Sequence, residues 1–119
     1  MRYMILIHSN ATAEQAWADG ERATLDATHG AVIGELLASG EFVDSNELDL
    51  EDVVVVGHHN GAPVATRGPF TEGTEWIGGY YIVDVADRDR AVEIASRLAE
   101  NPYSPIEIRR MMHTPPPTS

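Results

Sequence analysis

Arg2-Tyr3-Met4-Ile5-Leu6-Ile7-His8 is the stretch that decides the fold. Large apolar and β-branched residues in an unbroken run predict a strand. Successive strand side chains point to opposite faces. Tyr3, Ile5 and Ile7 therefore share one face, and Met4, Leu6 and His8 the other. Both faces are largely apolar, so both need a cover. Every later element bears on what those two covers are.

Downstream, Thr12-Ala13-Glu14-Gln15 has the spacing of a capping box, with Thr12 as the cap. Gly20 interrupts the segment, and a main helix is expected from about Glu21 to Ser39, ending at Gly40. Its apolar stripe reads Leu25, Val32, Ile33, Leu36 and Leu37. Phe42 to Asn46 reads as a short strand. Val53 to Gly57 reads as a firmer one, because consecutive valines favour a pleated, buried surface. Asn60-Gly61 is a type I′ hairpin signal returning the chain through Pro63 to Thr66. Ile77 to Val85 is a further strand. Asp87 can cap a second helix running to about Glu100, with Ala91, Val92, Ile94, Ala95 and Leu98 on its buried side. Pro102 and Pro105 bracket its exit, and Ile106 to Met111 forms the last strand. Residues 1–112 are expected to form one domain, and residues 113–119, with three consecutive prolines, a disordered tail.

The resulting order is β-α-β-β-(β)-α-β, a ferredoxin-like α+β protomer with an extra hairpin strand. Two helices cover one face of such a sheet. The other face of the first strand is expected to pack on a second copy, giving a homodimeric α+β barrel.

Composition narrows the function classes. The 119 residues carry a formal net charge of -11 and no Cys. That charge argues against nucleic-acid backbones, which call for clustered Lys and Arg, and against anionic membrane surfaces. Without Cys there is no disulfide, thiolate nucleophile or zinc–thiolate site. No apolar run reaches the roughly 20 residues of a spanning helix. The polar His8-Ser9-Asn10 after Ile7 leaves no signal-peptide core, so a cytoplasmic setting is expected.

Several segments together resemble the DGPF-type branch of the YCII-related family. Met1 to Ile7 resembles its first strand, and Thr28-His29-Gly30-Ala31 its histidine-containing helix. Thr66-Arg67-Gly68-Pro69-Phe70 through Asp84-Val85 resembles its signature segment, and Ser104 to Arg109 its terminal strand. The resemblance implies a dimeric α+β barrel with a cleft. It also implies a link to enzymes with a His-Asp pair and, in actinobacteria, to extracytoplasmic-function sigma factors. Two positions depart from it. Arg67 stands where the signature has Asp, and Asn101 falls where YCII-like enzymes place an acid.

His29 lies four residues after Leu25 and four before Ile33, on the apolar stripe of its helix. It is either an imidazole buried for packing or a general acid–base. His8, at the end of the first strand, is a second cleft candidate or a strand-end polar group. Glu75, and less so Glu72, are the acidic residues expected to partner His29. A cleft roofed by residues 67–76 is expected above it. Arg67 reads as a fork for a ligand carboxylate or as a surface ion pair. Tyr80 and Tyr81 face opposite sides, so one points into the cleft, and Trp76 reads as a wall or dimer-interface residue. Gly78-Gly79 inside a strand implies a close approach by backbone, partner subunit or ligand. His58-His59 cannot both reach one ion from a strand, and no metal is expected. No phosphate loop, dinucleotide fingerprint or nucleophile elbow occurs, and no cofactor is expected. Two readings remain open. One is a small cofactor-independent enzyme acting on a small organic molecule by isomerase- or lyase-like chemistry. The other is a non-catalytic dimeric binding or regulatory module.

Overall fold

A computed structural model describes residues 1–67 and 75–113. The expectations for Glu72, for a roof over the cleft through residues 68–74, and for a disordered tail through residues 114–119 lie outside the described residues. The chain runs β1 (Arg2–Asn10), α1 (Ala11–Ala16), a kinked turn (Trp17–Glu21), α2 (Arg22–Ser39), β2 (Phe42–Glu47), β3 (Val54–His59), β4 (Ala62–Arg67), β5 (Glu75–Asp84), α3 (Arg88–Ser96) and β6 (Ile106–Arg110). The main sheet is antiparallel with the order β2-β5-β1-β6. This is the arrangement of a ferredoxin-like α+β fold, with β1 in the middle.

The alternation in β1 explains the layering. Tyr3, Ile5 and Ile7 are buried, whereas Met4, Leu6 and His8 are half-buried. The buried set faces the helices and packs with Val32 and Leu36 of α2, Tyr81 and Val83 of β5, and Ala91 and Ile94 of α3. Ile5 sits opposite Tyr81 and Ile108, at the centre of this layer. On the other face, Met4 pairs with Ile82 and Leu6 with Tyr80. Among the described residues no helix covers that face.

Most of the local signals hold in the structure. Gly40 ends α2 in the left-handed conformation (φ 79°), and its N–H donates to Leu36 O and Leu37 O. Asn60 and Gly61 both have positive φ, as a type I′ turn demands. Asp87 caps α3 by accepting from Arg90 N. The first cap differs. Asn10, not Thr12, accepts from Ala13 N at 2.8 Å. The strand runs directly into α1, so the short polar side chain at its last residue reaches the first free N–H groups before Thr12 does.

Three apolar expectations fail, two at helix rims and one in a strand outside the main sheet. Leu37 is 61% exposed and Val92 46% exposed. Each sits at the rim of its stripe, one helical step beyond the sheet contact made by Leu36 and Ala91. The valines of β3 are also not buried: Val54 is 60% and Val56 68% exposed. β3 pairs with β4 alone in a separate two-stranded sheet rather than joining the main one. α3 is also shorter than expected, ending at Ser96, and a series of turns carries the chain to β6. Among the described residues no helix is long and apolar enough to cross a membrane.

Candidate functional site

The site grows from the place where α2 crosses the middle of β5. Val32 and Leu36 hold α2 against the sheet, and Leu25, buried on the same helix, lines the cavity. His29 lies between Leu25 and Val32 on the same helix and so points at β5. Tyr81 reaches it from below. Its side chain is almost fully buried, since it shares the helix-facing side of β5 with Val83.

The imidazole is held at both nitrogens. Nδ1 lies 2.6 Å from the Tyr81 hydroxyl. Nε2 lies 2.7 Å from Glu100 Oε2 and 2.9 Å from Oε1. The two partners fix the tautomer by chemistry. An ionised carboxylate accepts only, so Nε2 carries the hydrogen and donates it to Glu100. Nδ1 is left with its lone pair and accepts from the phenol. Burial, and secondarily the negative charge of Glu100, push the Tyr81 hydroxyl up to about 12, so it stays protonated at neutral pH. The chain of hydrogen bonds runs from Tyr81 O–H to His29 Nδ1 and from His29 Nε2–H to Glu100.

Glu100 is placed by the turns after α3. Its carbonyl accepts from Tyr103 N at 2.8 Å and from Ser104 N at 3.0 Å, which pins the segment. Sequence reasoning missed this residue by reading it as the last residue of a helix and by weighing Asn101 for the acid. Two signals pointed otherwise. An acid in the last turn of a helix opposes the helix dipole, and Pro102 shortens the helix before it.

Around this trio lies a cavity of about 280 Å³. Ile7, Leu25, Ile33, Leu48, Leu50 and Trp17 supply apolar wall. Trp17 is set edge-on to Tyr103, with ring centroids 5.3 Å apart. At the rim, Arg22 grips Glu47 through two hydrogen bonds of 3.0 and 2.8 Å. Its Nε donates to Asp26 at 3.2 Å. Arg22 holds the Glu47 carboxyl below the usual range, so that group is ionised. Deeper in, Glu14 accepts from the Ser9 hydroxyl at 2.7 Å.

The other expected site residues lie elsewhere. The carboxylate against His29 is Glu100 rather than Glu75, which is exposed at the start of β5, opposite Asn10. His8 borders the cavity, but its Nε2 turns to Glu107 Oε1 at 3.2 Å, next to the half-buried face of the sheet. Tyr80 points away from Tyr81 and donates to Asp44 at 2.8 Å. Arg67 closes β4 opposite Val54, in the separate hairpin. Trp76 pairs with Ser9 in the ladder, and its buried indole nitrogen has no hydrogen-bond partner among the described residues. The paired glycines answer to packing. A Cβ on Gly79 would lie 3.0 Å from Asn46 O, and one on Gly78 3.3 Å from Ser9 Cβ. Strand β2 and the bulge in β1 make the close approach there.

Comparison with known proteins agrees with this frame. Residues 1–112 match the YCII-related domain. An uncharacterized protein of Rhizobium meliloti (strain 1021) is 26% identical over 100 residues, covering 83% of this chain and 81% of that protein. With nearly its whole length matched, the chain belongs to the YCII-related family.

Proposed function

We propose that the cavity is an acid–base site for a small organic carbonyl compound, with His29 as the proton carrier, in a protein of the DGPF-type branch of its family. The observation that supports this is the imidazole bridging a buried phenol and a part-buried carboxylate inside a cavity. In the proposed step, the carbonyl oxygen of the substrate takes the Tyr81 hydrogen bond. That frees His29 Nδ1 to remove a proton from the carbon next to the carbonyl. Glu100 stabilises the imidazolium that forms, and the phenol stabilises the enolate oxygen. Return of the proton to a different carbon completes an isomerisation, and loss of a neighbouring leaving group completes an elimination. No cofactor is called for by either route.

Hydrogen–deuterium exchange at carbon tests the reading. A panel of small ketones in D2O with the full chain should include members whose exchange is accelerated, and His29→Gln should abolish that acceleration. Equal exchange by His29→Gln, or none by the unaltered protein, overturns it. One observation favours a second reading. Both ring nitrogens already have protein partners, which suits a small-molecule-binding module whose histidine only shapes the cavity. Ligand-induced shifts of the His29 resonances without any exchange select that reading.

We further infer that a second copy covers the open face of the main sheet. Met4, Leu6 and Ile82 are half-buried there and Ile77 is 47% exposed, an apolar strip that water disfavours. Light scattering should give twice the 13.0 kDa chain mass, and a persistent monomer overturns the inference.

A further inference from the structure

We infer that the cavity takes a small, mainly apolar molecule that carries no negative charge. This rests on the His29 cavity being the functional site and adds the class of ligand that it takes. The walls given by Trp17, Leu25, Ile33 and Leu48 suit an apolar body. The charged groups around them are unbalanced. Glu14, Asp26, Glu47 and Glu100 line the cavity, and Arg22 is the one Lys or Arg among the described residues that do so.

That single cation is already committed. Three of its five N–H donors go to Glu47 and Asp26. Two N–H donors remain, but a ligand carboxylate or phosphate that takes them sits beside the ionised Glu47 and competes with it for the same cation. The same anion meets Glu100 near His29 and Glu14 near Ser9. Like charges in a partly enclosed site repel more strongly than in bulk water. A hydroxyl, carbonyl or protonated amine meets no such opposition. The phenol of Tyr81 can donate to the first two, and the carboxylates can accept from the third.

Three probes with one shared ring isolate the charge: benzyl alcohol, benzylamine and benzoate. Titrated into the full chain and followed by NMR, the first two should shift the resonances of Tyr81, His29 and Trp17. Benzoate should bind at least about tenfold more weakly, the scale of a modest charge repulsion. Benzoate binding as tightly as the other two overturns the inference, and so does a failure of both other probes to shift those resonances. The double variant Asp26→Asn, Glu47→Gln gives a second arm. Its altered side chains are 63% and 67% exposed, so the fold should persist. Releasing Arg22 should strengthen benzoate binding about tenfold. An unchanged benzoate affinity counts against the inference.

Failure of the acid–base reading remains separable. Charge ranking is read from binding alone. A protein that ranks the probes as expected but exchanges no ketone proton keeps this inference and loses the catalytic one.

Discussion

Glu100 Oε2 lies 2.7 Å from His29 Nε2, joining a turn before β6 to the middle of α2 across 71 positions of sequence. Both side chains are sparsely exposed, at 12% and 20%. The pair therefore acts where water competes weakly. Its first consequence is a fixed tautomer. Nitrogen-15 spectra of the neutral His29 imidazole should show hydrogen on Nε2 and a bare, hydrogen-bonded Nδ1. Glu100→Ala removes the acceptor and leaves a part-buried N–H unpaired, which costs about 1–3 kcal/mol. Glu100→Gln keeps an acceptor oxygen and should cost less. Urea denaturation of the two variants checks the order, and a Gln variant as unstable as the Ala variant would count against it.

A contrast within α2 separates packing from periodicity. Leu36 is fully buried and its neighbour Leu37 is 61% exposed. Leu36→Ala should lose about 2–5 kcal/mol through transfer and cavity terms. Leu37→Ala should fall within about 0.5 kcal/mol of the parent. Thermal or urea unfolding measures both. Similar losses at the two positions would mean that a covering partner buries Leu37 in solution.

What the sequence revealed follows from the range of the forces involved. β1, the end of α2 at Gly40, the Asn60-Gly61 turn and the Asp87 cap are local, and each was read from a few adjacent residues. The antiparallel α+β order followed from them. The partner of His29 was not legible in the same way, because Glu100 approaches through a turn whose shape depends on where α3 stops. The exposed valines of β3 illustrate the same limit. Their β propensity foretold a strand, but only tertiary pairing decides whether a strand joins the main sheet or stands apart.

Gly79 is explained by contact and so yields a sharp test. An added Cβ would lie 3.0 Å from Asn46 O, a backbone atom that cannot swing away. Gly79→Ala should destabilise the protein by about 1–3 kcal/mol by forcing β2 and β5 apart. Gly57→Ala is the control, since nothing lies within 4 Å of its Cβ position. Gly57→Ala should be neutral or slightly stabilising, because alanine restricts the unfolded chain. Comparison of the two midpoints in urea decides whether contact or backbone freedom matters.

Toward low pH, Glu35 couples stability to protonation. Hydrogen bonds from Arg97 and then Arg90 lower its carboxyl from 4.5 to about 2. A carboxylate with a depressed folded value stabilises the protein above the unfolded value and loses that contribution as pH falls. The affected window runs from 4.5 down to about 2. Glu35→Gln should flatten the pH dependence of stability in that window. The effect should shrink in high salt, because the group is exposed and its ion pairs are screened. A pH profile unchanged by the substitution would show that the two arginines contribute no net coupling.

At high pH the sign reverses, and the group concerned is Tyr81. Burial first, and then the charge of Glu100, raise its hydroxyl from 10.0 to about 12. A phenol whose folded value exceeds its unfolded one favours the protonated form when folded. Its stabilising contribution is complete below 10.0 and is lost as pH climbs through about 12. Ultraviolet titration of phenolate should therefore extend to high pH, and Tyr81→Phe should remove the step at about 12 while leaving the rise that the Asp44 hydrogen bond gives Tyr80. The same variant leaves His29 Nδ1 without its donor while Glu100 still holds Nε2. Because the Nδ1 lone pair is then unoccupied, ketone proton abstraction by His29 need not vanish. Enolate stabilisation should fall, and with it the exchange rate, by roughly two to three orders of magnitude. Loss of the late titration with no change in exchange would place the phenol in the packing of the cavity and outside its chemistry.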